Sequence, residues 1–172
     1  MKAKLVVLPL LVVIAFSLGC NRTSNAAYKD AVQKSLEQAD LKDVRVAEDT
    51  AKNTITLNGT LHSEDAKQRA GQIAQAAAPG RIVANEISIE PVGNESAARK
   101  IESNVDDAIE KNYKAALISN GLDKQNIHFR SKNGVLTLEG KVKSADLRQQ
   151  AEQVASSVPN VAQVVNELKI NR

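Results

Sequence analysis

Of 172 residues none is tryptophan, one is cysteine, two are histidine, two are tyrosine and two are phenylalanine. Each scarcity excludes something. A single thiol, Cys20, permits no disulfide within the chain, so stability must come from packed cores alone. Two isolated histidines, His62 and His128, leave no metal-ligand spacing, because a zinc site would need carboxylates where the chain does not offer them. Past residue 19 the aromatics are Tyr28, Tyr113 and Phe129. With no stacking platform and no dense basic stripe, neither single-stranded nor duplex nucleic acid is an expected partner. Glycine-rich phosphate loops and a Gly-x-Ser-x-Gly elbow are also missing, so no cofactor is expected and the chain does not read as an enzyme. The acidic stretch Asp106-Asp107-Glu110 reads as a solvated helix face countered by Lys111 and Lys114, not as a catalytic carboxylate pair.

One apolar run exists. Leu5 to Leu18 follows Lys2 and Lys4, contains Pro9, and is shorter than the ~20 residues a spanning helix needs. It ends in Ser17-Leu18-Gly19-Cys20. The segment 1–19 resembles a bacterial lipoprotein signal, with Cys20 as the lipidated residue and 20–25 as a short tether. An ordinary cleaved secretory leader is the alternative. Asn21, in place of the aspartate linked to inner-membrane retention, points to the outer membrane, facing the periplasm. Without the two leader lysines, 21 basic residues face 20 acidic ones. Residues 21–90 carry nine basic and ten acidic groups, residues 91–172 twelve and ten.

The chain repeats itself. Displaced by 81 positions, Ile55 to Ile89 lies on Leu136 to Ile170 without a gap, and thirteen of 35 positions are identical, among them Gly59/Gly140, Asn85/Asn166 and Glu86/Glu167. That length suits a small domain and not a solenoid unit. The modules fall at 26–90 and 97–172, with 91–96, holding Pro91 and Gly93, as linker.

The second copy is the easier to read. Ile101, Val105, Ala108, Ile109, Tyr113, Ala116 and Leu117 recur at helical spacing, and Asn120-Gly121 ends the helix. Ile127 to Arg130 alternates as a strand, Lys132-Asn133-Gly134 forms a hairpin turn, and Leu136 to Val142 returns. Ser144 caps a second helix with Asp146 in its first turn, Pro159-Asn160 ends it, and Val161 to Ile170 is a final strand. The first copy has a hairpin two residues longer. The predicted class is α+β: two tandem αββαβ modules, each a three-stranded mixed sheet with two helices on one face. Gly59 and Gly140 are expected to permit close helix packing, and Asn85 and Asn166 to pin a loop or helix end.

Gly134-Val135-Leu136-Thr137-Leu138-Glu139-Gly140-Lys141-Val142, followed by Val158-Pro159-Asn160-Val161 and Val164-Val165-Asn166-Glu167-Leu168, resembles a BON domain. Ile55-Thr56-Leu57-Asn58-Gly59 and Val83-Ala84-Asn85-Glu86-Ile87 are similar in the first copy. A lipidated cysteine before two such domains is similar to dual-BON outer-membrane lipoproteins. The resemblance implies a non-enzymatic envelope protein that binds anionic phospholipid and supports envelope integrity. It also implies that the first helix of the second domain, beginning Arg99-Lys100, faces the membrane. The alternative reading is a periplasmic adaptor that binds envelope proteins, or a chaperone-like protein of osmotic stress.

Strand alternation supplies a second candidate surface. With Ile127 and Phe129 turned inward, the opposite face carries His128, Arg130, Lys132, Lys141 and Lys143, a basic field open to an anionic membrane. The open edge of each sheet is a candidate site of weak self-association.

Overall fold

The computed structural model describes residues 27–171; Cys20, the leader and the tether lie outside that span. Helix α1 (Lys29–Gln38) leads to strands β1 (Arg45–Asp49) and β2 (Thr54–Leu61), helix α2 (Glu64–Ala77) and strand β3 (Ile82–Ile89). Helix α3 (Glu95–Ser119), strands β4 (Asn126–Lys132) and β5 (Val135–Val142), helix α4 (Ala145–Ser156) and strands β6 (Gln163–Asn166) and β7 (Lys169–Ile170) repeat the order. The fold is two tandem αββαβ modules with mixed sheets, as the repeat predicts.

Each sheet is built around its middle strand. β2 runs antiparallel to β1 and parallel to β3, and β5 is antiparallel to β4 and parallel to β6 and β7. The single strand expected over Val161 to Ile170 is broken at Glu167-Leu168, where Leu168 N–H turns to Asn166 Oδ1 at 3.2 Å. Both helices of a module cover one sheet face. In the first core Val32 and Leu36 of α1 and Ala70 and Ala74 of α2 meet Val46, Ile55, Leu57 and Ile87. In the second, Ile109, Tyr113 and Leu117 of α3 and Ala151, Val154 and Ala155 of α4 meet Leu136, Leu138 and Val142.

Local chemistry explains the element ends. Asn133 (φ 50°) and Gly134 (φ 79°) form the two-residue turn that right-twisted strands favour. Ser63 and Ser144 accept hydrogen bonds from Ala66 N–H and Leu147 N–H, satisfying donors in the first turns of α2 and α4. Asn85 and Asn166 each reach the helix above: Asn85 Nδ2 donates to Lys67 O at 2.8 Å, and Asn166 Nδ2 donates to Glu152 Oε2 at 2.8 Å.

Three expectations need correction. Gly59 (φ 141°) and Gly140 (φ 112°) do not make room for a helix; they sit against neighbouring backbone, at Asp43 O in the turn before β1 and at Asn126 O in β4. Ile101 and Ala108, placed on the apolar face of α3 by their spacing, are exposed, Ile101 by 62%. The helix begins at Glu95, and its first turns lie along the first module. There Glu102 accepts Ser88 Oγ–H at 2.5 Å and Ile89 N–H at 3.0 Å. Asp106 and Glu110 are not a solvated face either. Asp106 accepts Asn133 N–H, Gly134 N–H and Ser131 Oγ–H, and Glu110 accepts Ser131 N–H, so together they hold the β4–β5 turn.

The hairpin registers differ by two residues between copies. Asn58 pairs with Arg45, while its repeat mate Glu139 pairs with His128. The connections 39–44 and 120–125 are equally long; β4 is two residues longer than β1 and its hairpin loop two shorter, so the overall spacing of 81 is conserved.

Tyr113 is the largest fully buried side chain. Its ring meets Phe129 edge to face at 5.0 Å, and its hydroxyl donates to Ala151 O at 3.2 Å. Burial raises its pKa above the ordinary value of 10. The folded state then holds a proton the unfolded state releases, so this contribution is intact below pH 10 and lost as pH rises further. Tyr113→Phe is expected to flatten the alkaline fall in stability while costing about 1 kcal/mol at neutral pH. Urea unfolding at pH 7 and above pH 10 checks both.

Candidate functional site

The sheet faces turned away from the helices pack on each other. Ala84, Val135 and Val165 form a small apolar cluster between the modules, with Ile82 against it. Thr54 and Thr137, on the same faces, are 3% and 2% exposed. At these positions, side chains that point outward from a single sheet are interior in the pair.

Around that cluster lies a near-symmetric set of charges. Lys52 Nζ pairs with Glu139 and Glu167 of the second module, each at 3.0 Å, and Thr54 Oγ1 donates to Glu167 Oε1 at 2.8 Å. In the reverse direction Lys132 Nζ donates to Asn58 Oδ1 at 2.5 Å and pairs with Glu86 at 3.2 Å, while Arg130 pairs with Glu86 at 2.7 Å. Glu86 and Glu167 are one position of the repeat, as are Asn58 and Glu139. Glu86 is 3% exposed, and a carboxylate so buried is tolerable only with this many partners. Hydrogen bonds to Glu167 and Glu139 raise the pKa of Lys52, whereas burial lowers that of Lys67, whose Nζ donates to Asn133 O at 3.2 Å. The Gln163 amide closes the edge of β3, donating to Val83 O and accepting Asn85 N–H.

This packing redistributes the residues expected at an anionic surface. Arg130 and Lys132 remain about half exposed, and both pair with Glu86. Arg99 pairs with Glu90 at 3.0 Å. Lys100, Lys141 and Lys143 are exposed and make no ion pair with any described residue. The structure adds one residue that sequence reasoning missed. Lys169 is register partner of Lys141 across β5 and β7, so Lys141, Lys143 and Lys169 gather at one end of the second sheet. Its basic character was visible, but the break between β6 and β7 that places it there was not.

The histidines do not converge. His62 Nδ1 lies 2.7 Å from Glu90 O, and His128 is exposed on β4. Among the described residues no three His, Cys, Asp or Glu side chains are placed to hold a metal ion, and no helix is long and apolar enough to cross a membrane. In the first module a buried Arg81–Glu48 pair at 3.1 Å ties the turn before β3 to β1, and Glu48 accepts Tyr28 N–H and Lys29 N–H. Nothing in the sequence pattern announced that pair.

The folding pattern and the duplicated strand signature define a class. The BON domain matches residues 24–91 and 105–172, and the chain belongs to the BON domain family. The second match begins at residue 105, so the part of α3 that contacts β3 lies outside it. Among solved structures, the C-terminal domain of CdsD, the structural protein of the type III secretion system of Chlamydia trachomatis, is similar at 13% identity. That match covers 83% of this chain and 96% of that chain, with a TM-score of 0.35. A second CdsD structure aligns with the same identity and TM-score over 91% of its length. No curated protein matches the chain. The tandem of two BON domains supports an envelope-type protein.

Proposed function

We propose that this is a membrane-tethered, non-enzymatic envelope protein whose docked BON domains contact anionic phospholipid and support envelope integrity, with lipidation at Cys20 supplying the anchor. The supporting observation is the placement of Lys141, Lys143 and Lys169. They are exposed at one sheet end, and no carboxylate among the described residues pairs with them, whereas Arg130 and Lys132 of the same sheet share the single carboxylate of Glu86. Near an anionic surface each lysine is worth ~1 kcal/mol, so three give roughly 3 kcal/mol. That is weak alone and sufficient once an anchor holds the protein at the surface. Lys100 on α3 is a second exposed cation for such a surface.

Co-sedimentation of residues 26–172 with vesicles tests the reading. Binding is expected to vesicles containing anionic phospholipid, to weaken as salt is raised, and to be absent from purely zwitterionic vesicles. Equal binding to both, or to neither, would oppose the lipid role.

A further inference from the structure

The duplication supplies its own control for one surface. In the first module α1 closes over the chain just before β1. Gln33 on α1 donates from Nε2 to Val44 O and to Glu37 Oε1, both at 3.3 Å, and Val44 and Val46 are buried. In the second module the same helix positions hold Lys114 and Ile118, and the strand positions hold Ile127 and Phe129. Here no side chain among the described residues reaches the equivalent carbonyl, that of Ile127. Ile127 and Phe129 are only partly buried, Ile118 is 58% exposed, and a groove of about 420 Å³ opens between α3 and β4. Asp123 and Gln125 of the α3–β4 loop line its wall.

The backbone is available as well. Ser131 N–H turns away from β5 to Glu110, and Ile127 N–H turns to Gln125 O. Antiparallel alternation puts the N–H and C=O of Phe129 on the same outer side, and among the described residues no side chain reaches them. The rim is basic. Lys114 lines the groove, Lys111 stands one turn earlier on α3, and Lys124 lies in the loop; none has an ion pair among the described residues. Asp123 is the one carboxylate in the lining.

We propose that this groove receives a short extended segment of another protein, carrying an aliphatic side chain beside acidic residues. Its backbone pairs with Phe129, the aliphatic group enters between Ile118 and Phe129, and an acidic neighbour meets Lys114. The groove lies on the α3 side of β4; Lys141, register partner of Asn126, stands at the same end of the sheet but is not among the lining residues, and the substitutions below leave it unchanged.

The test uses residues 26–172 labelled with ¹⁵N and an N-acetylated eight-residue peptide alternating valine and aspartate. Saturable amide shifts are expected at Ile118, Ile127 and Phe129. Lys114→Gln with Ile118→Glu, which copies the closed first module at two exposed positions, should weaken binding at least about tenfold. Ile118→Glu alone serves if the double variant loses its fold. A valine–lysine peptide should bind more weakly by a similar factor. Equal binding by the closed variant or by the lysine peptide, shifts confined to β1, or no shifts at millimolar peptide would overturn the proposal. So would concentration-dependent dimerisation abolished by the same substitutions, because the occupant would then be a second copy of this chain.

Discussion

Alanine at Gly140 is expected to remove most of the second module's stability. An alanine Cβ there would lie 2.1 Å from Asn126 O, a backbone atom of the neighbouring strand, and the φ of 112° is one that only glycine holds without strain. Neither problem can be relieved by rotating a side chain. The strand must move or the sheet must open, at a cost on the order of 3–5 kcal/mol. A core of this size supplies about that much in total. Gly59→Ala should do the same to the first module, where Asp43 O would lie 2.3 Å away. Denaturant unfolding of the two-module chain checks this, and a loss below about 1 kcal/mol would show that the strands give way more easily than their geometry implies.

The second large effect concerns docking. Val165 is fully buried, yet its side chain points away from its own module's helices, into the cluster shared with Ala84 and Val135. Val165→Asp would place an unpaired carboxylate between the sheets at a cost of several kcal/mol. Separation relieves that cost without disturbing either helix-covered core. The variant is therefore expected to remain folded, to show a larger radius of gyration in solution scattering, and to melt in two transitions. An unchanged scattering profile would mean that the modules do not dock through these faces.

Much of the architecture was legible because it depends on local chemistry. The Asn133-Gly134 turn, the caps at Ser63 and Ser144 and the inward phase of Leu136 and Leu138 follow from residue type and spacing alone. The docked face was not read, although signals for it existed. Glu86 and Glu167 are identical between copies and share a face with Ala84 and Val165. Thr137 and Val135 are neutral and β-branched on what was taken for a solvent side. Alternation along one strand identifies two faces but does not say that a second sheet covers the other. Arg130 and Lys132, read as part of an open basic field, are exposed but share a partner distant in sequence, Glu86. The two-residue register change was hidden for a different reason: the residues that lengthen β4 are taken from its hairpin loop, which leaves the repeat spacing untouched. The β6–β7 break turns on one side-chain contact, Asn166 to Leu168, too local to disturb the apolar pattern.

The central claim is that docking decides which cations remain free to meet a membrane. Binding to anionic vesicles at low salt should be compared for Lys141→Glu with Lys143→Glu and for Arg130→Gln, which leaves Lys132 to neutralise Glu86. At ~1 kcal/mol for each lysine lost, and more for reversal of its charge, the double variant should lose binding by at least about tenfold while Arg130→Gln stays within about twofold of the parent. Unchanged binding by the double variant with its fold intact, or a loss in Arg130→Gln as large, would contradict it.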